Sequence, residues 1–329
     1  MARTALESIP GADPERGEIE IEHHYPQVTD AQAGRRTRAL YEDIRRSLRA
    51  PFVGSVFRTL ANDLEFLEAS WNEIGPFVRT ERFERAADRL RRRALLRPIP
   101  VAEGLQVATS GVGERIRAYT DTVHYALPKF LLASQLIDLT LVHSPEDRTR
   151  KPPGPSLPLG VAVGTLDIGL TRPKKVRGAR REVLEDIRTA HNHPFLASYW
   201  RGLAQWPLVL DVVWASVKPT VGTGRYVDHR RTLVEEAYEQ ASRFPVRGID
   251  AEELGLHEES VQRIRDVLAT FRAKIIPDTL IDVVAIKAMM DGPEGAVQSR
   301  FSVASTQRPA QAKRGTRGQR RRPGVQGRR

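Results

Sequence analysis

The sequence predicts an all-α protein made of two tandem, pseudo-twofold-related helical repeats of about a hundred residues each. Three observations carry that prediction: the chain aligns with itself, its apolar residues recur at helical spacing, and strand-like alternation is scarce. Residues 42–94 lie over residues 185–237 at a constant offset of 143 without a gap, and 18 of the 53 columns are identical. Unrelated chains of this composition would share about three. Glu42-Asp43-Ile44-Arg45 returns as Glu185-Asp186-Ile187-Arg188, and PFVGSVFRTLA from Pro51 returns as PFLASYWRGLA from Pro194. Trp71 and Pro76 return as Trp214 and Pro219. After a length change, Leu136-Ile137-Asp138 matches Leu280-Ile281-Asp282. A period this long describes paired domains, not a solenoid of short units.

In chain order, residues 1–36 are expected to be an N-terminal segment, partly disordered. The first repeat spans 37–143. Within it, Phe57, Leu60, Ala61, Leu64, Leu67 and Trp71 form one helical stripe, and Phe83, Ala86, Ala87, Leu90 and Ala94 form another. Residues 144–182 carry Pro152, Pro153, Pro155, Pro158 and Pro173 with several glycines, the composition of an extended linker. The second repeat spans 183–292, with stripes at Trp200, Leu203, Ala204, Leu210, Trp214 and at Val261, Ile264, Val267, Leu268, Phe271. Pro51 and Pro194 each precede a stripe, as proline does in a first helical turn. Residues 293–329 are expected to be a disordered basic tail, rich in Gln, Gly, Pro and Arg.

Charge and composition narrow the function classes. Nine of the Lys and Arg residues lie between Arg308 and Arg329 with no acid among them, leaving 43 basic against 41 acidic residues elsewhere. The net charge of +11 is therefore a property of the tail, and the expected effect is at most nonspecific attraction to nucleic acid or anionic surfaces. No aromatic residue in the tail can stack a base. The absence of cysteine excludes disulfides, thiol nucleophiles and cysteine-ligated zinc. No run approaches the ~18 uninterrupted apolar residues of a membrane helix, so a soluble, cytoplasmic protein without membrane contact is expected.

Motif chemistry is sparse. There is no GxGxxG, no phosphate-binding lysine loop and no GxSxG elbow, so dinucleotide, nucleotide and serine-hydrolase readings lack support. His191-Asn192-His193 has no acidic or histidine partner at helical spacing nearby and reads as a loop histidine pair before a helix start, and His23-His24 near the N-terminus has still less claim; no metal is expected. The matched segments 51–61 and 194–204 are more telling. Each sets small residues (Gly54 and Ser55, Ala197 and Ser198) at the start of an apolar helix, with Phe52, Phe57, Phe195, Tyr199 and Trp200 interleaved. Helix N-termini present unpaired N–H groups that can hold an anion. Two such segments meeting would make an apolar pocket for a small carboxylate; they would equally serve as a packing seam.

These residues resemble a family. The tandem helical copies, the E-D-I-R start, the P-F-…-R-x-L-A segments and Leu203-Ala204-Gln205-Trp206-Pro207 are similar to the group I 2-haloacid dehalogenases over residues 37 to 292. The resemblance implies two helical repeats, often dimerised into homodimers, with an active site between the repeats. It implies hydrolysis of the carbon–halogen bond of small 2-halocarboxylic acids by an activated water, without a cofactor. It places the family's catalytic aspartate at Tyr199, after Ser198, and its water-holding asparagine at Leu127. A pocket tyrosine falls on Phe271, and pocket aromatics fall on Phe52 and Ser55. Tyrosine, with a pKa near 10, is a poor base at neutral pH, and leucine cannot orient a water. Two functions follow: a dehalogenase in which another carboxylate such as Asp186, Asp211 or Asp282 serves as base, or a non-catalytic member that binds a small carboxylic acid or a protein partner in the same cleft.

Overall fold

A computed structural model of the chain describes residues 12–145, 154–167, 169–172 and 175–301, and the backbone of 306–307. The architecture is all-α. The helices run α1 (Pro14–His23), α2 (Arg35–Leu48), α3 (Ser55–Leu60), α4 (Leu64–Val78), α5 (Glu81–Arg93), α6 (Leu105–Ala108), α7 (Gly113–Val142), α8 (Ala179–Ala190), α9 (Ser198–Leu203), α10 (Pro207–Val217), α11 (Gly224–Ala241), α12 (Glu258–Thr270) and α13 (Ile276–Ala296), with a π turn over Phe271–Ile275. Two two-residue strands, Val161–Ala162 and Thr306–Gln307, pair antiparallel.

The apolar stripes explain the packing. Phe83, Ala86, Ala87, Leu90 and Ala94 are all buried along one side of α5. The long helices α7 and α13 pack on each other at the centre. By length and composition α7 could cross a membrane, but most of it is buried inside the protein. Pro128 lies inside α7. Its missing N–H leaves the His124 carbonyl without the usual helical donor, and Arg91 Nε donates to that carbonyl instead at 3.3 Å.

The two halves carry matched details 143 residues apart. Trp71 Nε1 donates to Asp43 Oδ2 at 2.7 Å, and Trp214 Nε1 donates to Asp186 Oδ2 at 2.7 Å. A cation joins each carboxylate, Arg79 in the first half and Lys218 in the second. After α2, Arg49 adopts a left-handed φ of 60°, and after α8 its counterpart Asn192 adopts 50°. Both tryptophans thus tie the E-D-I-R helix of their half to the helix that follows the short one.

Two sequence expectations about the helices need correction. Pro51 and Pro194 are not in a first helical turn; each lies four residues ahead of a six-residue helix. The stripe from Phe57 to Trp71 is two helices, because the chain turns at residues 61–63 while the apolar spacing continues across the turn. In the N-terminal segment, α1 packs on α12, with Gly17 so close that a Cβ there would lie 2.0 Å from the Asp266 carbonyl oxygen. In the proline-rich segment, Leu157 N–H donates to the Arg79 carbonyl and Ala162 N–H to the Arg49 carbonyl. At the far end, α13 runs to Ala296, Arg300 pairs with Asp121 at 2.9 Å, and Phe301 packs on Tyr125. The arginine-rich stretch 308–329 lies outside the described residues.

Candidate functional site

The short helices α3 and α9 meet at a cavity of about 310 Å³. Phe52, Val53, Gly54, Ser55, Val56 and Arg58 line it from the first half, and Ala197, Ser198, Tyr199 and Arg201 from the second. Tyr119, Val123, Leu127 and Phe130 of α7 form one wall, and Ile275, Ile276 and Thr279 form another. These last three begin at the π turn ahead of Pro277, and π turns recur at functional sites. Asp167, Gly169 and Leu170 complete the lining from the segment between the halves.

Of the residues singled out from sequence, Phe52, Ser55, Leu127, Ser198 and Tyr199 therefore share one cavity. Phe271 does not line it; its ring packs behind, 5.9 Å from that of Phe195. Gly54 caps α3 where a Cβ would sit 2.9 Å from the Phe130 ring, so glycine permits that wall. Gly202 does the same for Tyr119, whose hydroxyl would lie 2.1 Å from an added Cβ. That close approach lets the Tyr119 hydroxyl reach the carbonyls of Ser198 and Tyr199 at 3.2 and 3.1 Å. The ring of Tyr199 stacks on Tyr119 at 5.6 Å, and its hydroxyl meets Thr120 Oγ1 at 3.2 Å. Burial pushes the Tyr199 phenol far above its ordinary pKa, so it stays protonated at neutral pH.

The ionisable side chains at the cavity, besides tyrosine, are Arg58, Arg201 and Asp167. Arg58 and Arg201 occupy an identical column of the internal alignment, 143 residues apart, and both line the cavity. Burial lowers the pKa of each, and the Arg58 charge lowers Arg201 further. Two partly buried cations close enough to repel one another favour an anion between them. Arg58 Nη2 also meets Asp30 at 3.0 Å, while Arg58 Nε is buried without a hydrogen-bond partner. Arg201 Nε donates to the Thr171 carbonyl at 3.1 Å. First-turn N–H groups of α3 and α9 add positive dipole ends, with Ser55, Val56, Ser198 and Tyr199 facing the space.

The carboxylates considered as replacement bases lie elsewhere. Asp186 is engaged by Trp214 and Lys218, and Asp211 is exposed on α10. Asp282 is buried against His191 and Tyr226, which contact it at 2.8 and 3.0 Å. His191 and His193 lie in the loop after α8, as expected from sequence, and are buried there against carboxylates of α13. His193 Nε2 meets Asp278 at 3.0 Å, and Arg230 meets the same carboxylate at 3.1 Å. Burial alone would lower the His191 pKa, but the Asp282 carboxylate overrides it by charge and hydrogen bond, pushing it up to about 9. Among the described residues no group of three His, Asp or Glu side chains is arranged to hold a metal.

Sequence reasoning missed the arginine pair, Tyr119 and Asp167. The arginines were signalled by their identical column; Asp167 had no signal, because it lies in a stretch without periodicity.

No protein-family model matches the chain. A configuration-inverting 2-haloacid dehalogenase of Alcaligenes xylosoxydans xylosoxydans is 29% identical over 85% of this chain and 98% of its own length. A second configuration-inverting enzyme, from Pseudomonas sp. (strain 113), is 25% identical over 87% and 97%. An (R)-2-haloacid dehalogenase of Pseudomonas putida is 25% identical over 74% and 86%. Among solved structures, a D-2-haloacid dehalogenase mutant in complex with D-2-CPA superposes with a TM-score of 0.70 at 22% identity, over 81% of this chain and 96% of its own. D-2-haloacid dehalogenase with L-LA gives 0.67 at 22% identity over the same shares. The chain therefore has the all-α fold of the D-2-haloacid dehalogenases and is a homologue of 2-haloacid dehalogenases over most of its length.

Proposed function

We propose that this protein is a cofactor-independent hydrolase of small 2-halocarboxylic acids, acting in the cavity between α3 and α9. The observation that carries the reading is the convergence of Arg58 and Arg201 on a mostly apolar cavity of about 310 Å³. The arginines and the first-turn N–H groups hold the substrate carboxylate. Phe52, Val123, Leu127 and Ile276 receive the alkyl group and the halogen. Attack by water at C2, opposite the departing halide, yields the 2-hydroxy acid with inverted configuration. The relatives named as configuration-inverting enzymes support this stereochemistry. We also read the two halves as a duplication whose matched segments were retained because both line one site. Tyr199 and Leu127 shape the cavity in this reading and transfer no proton.

The test is incubation with each enantiomer of 2-chloropropionate and with bromoacetate, reading released halide and the configuration of the lactate formed. Halide release above the enzyme-free control with inversion is the expected result. No release from any of these acids would refute the reading.

A further inference from the structure

Hydrolysis at this site needs a group to take the proton from water, and the residues aligned with the family's base and water holder cannot do so. Among the described residues that line the cavity, Asp167 alone carries a carboxylate. It comes from the proline- and glycine-rich segment between the halves, yet both of its flanks are tied to the cavity walls. On one side, Leu166 N–H donates to Thr122 Oγ1 of α7 at 2.8 Å, and Thr165 is anchored on the Ala162 carbonyl. On the other, Thr171 N–H donates to the Arg201 carbonyl at 3.1 Å while Arg201 Nε donates back to Thr171, and Gln205 bonds the Gly169 carbonyl. Residues 165–167 are thus pinned to α7, and residues 169–171 to α9. The Asp167 charge acts on Arg58 and on Tyr119 in the same cavity.

We propose that Asp167 is the general base of the reaction, an inference that rests on the dehalogenase reading above. Its carboxylate accepts one proton from a water. The water oxygen forms the new C–O bond at C2 as the C–halogen bond breaks, and the halide leaves with the bonding electron pair. Asp167 is exposed at the cavity rim, so the proton passes to solvent and the carboxylate is regenerated. The net change is 2-haloacid plus water giving 2-hydroxy acid, halide and a proton. The base has thereby moved from a helix of the second half to the segment that joins the halves.

The experiment compares wild type, Asp167→Asn and Asp167→Ala on the 2-chloropropionate enantiomer that wild type prefers, with lactate binding measured by calorimetry on each. Asp167→Asn is expected to lower kcat by at least about a hundredfold, the usual scale of general base catalysis. It should leave the melting temperature and lactate affinity within a few-fold of wild type. Added formate should partly restore turnover to Asp167→Ala, which a merely structural role would not allow. Wild-type activity retained in Asp167→Asn would overturn the inference and leave the dehalogenase reading standing. Faster turnover or tighter binding in Asp167→Asn would overturn it too, and would mark Asp167 as an internal anion that competes with substrate. Loss of both activity and lactate binding, without rescue by formate, would likewise assign it a structural role. An inactive wild type would remove both readings together.

Discussion

The buried imidazole of His191 should be a cation well into the alkaline range, and its charge should be a measurable part of the stability. Nδ1 meets the Ile187 carbonyl at 2.8 Å and Nε2 meets Asp282 Oδ2 at 2.8 Å. Both partners are acceptors, so both ring nitrogens must carry a proton. Asp278 adds a second negative charge, and Tyr226 and His193 complete the surroundings. The folded pKa is pushed up from 6.5 to about 9. Because it is raised, the stabilisation is present in full below the unfolded value near 6.5 and is lost as pH rises through about 9. At 1.36 kcal/mol per unit, the difference amounts to about 3 kcal/mol. Substituting His191→Gln keeps a donor toward Asp282 but cannot carry charge. Urea unfolding of wild type and variant from pH 6 to 9.5 should show the wild-type advantage shrinking by about 3 kcal/mol over that range. An NMR titration that finds His191 deprotonating at or below pH 6.5, or parallel stability profiles, would show that the buried imidazole is not held as a cation.

Other substitutions probe the cavity walls. Gly54→Ala places a Cβ 2.9 Å from Phe130 and should cost about 1–3 kcal/mol in urea unfolding; a neutral effect would show that the ring can retreat. Arg201→Met should raise KM for a 2-haloacid about ten- to a hundredfold, from loss of a charge-assisted contact, with a smaller effect on kcat. An unchanged KM would remove the arginine from substrate binding. Tyr199→Phe should keep kcat within a few-fold, since burial holds the phenol protonated and its hydrogen bond to Thr120 contributes only about 1 kcal/mol. A collapse of kcat would return the phenol to the chemistry.

The all-α class was legible because helical stripes such as Phe83 to Ala94 are a direct record of which face is buried. The cavity was half legible. Gly54, Ser55 and Ser198 stood out because the same short segment occurs twice, and Arg58 and Arg201 stood in the same alignment as an identical pair. The turn at residues 61–63 was invisible, because Leu64 and Leu67 continue the spacing of Phe57 and Leu60 and periodicity alone does not register a change of axis. His191 and His193 were legible as loop residues but not as buried ones, since their partners, Asp282 and Asp278, are some ninety residues away on α13; sequence spacing does not encode such pairs. Asp167 was hidden for a similar reason. Its place depends on hydrogen bonds from Leu166 and Thr171 to two different helices, and extended segments leave no periodic trace.

Direct attack of water at C2 within this cavity is best tested by a single turnover in ¹⁸O-enriched water, with enzyme in excess over the preferred 2-haloacid. Direct attack gives lactate of inverted configuration carrying solvent ¹⁸O in its hydroxyl group in the first turnover. A first-turnover lactate whose hydroxyl oxygen is unlabelled, with its oxygen drawn from an enzyme carboxylate, would contradict it.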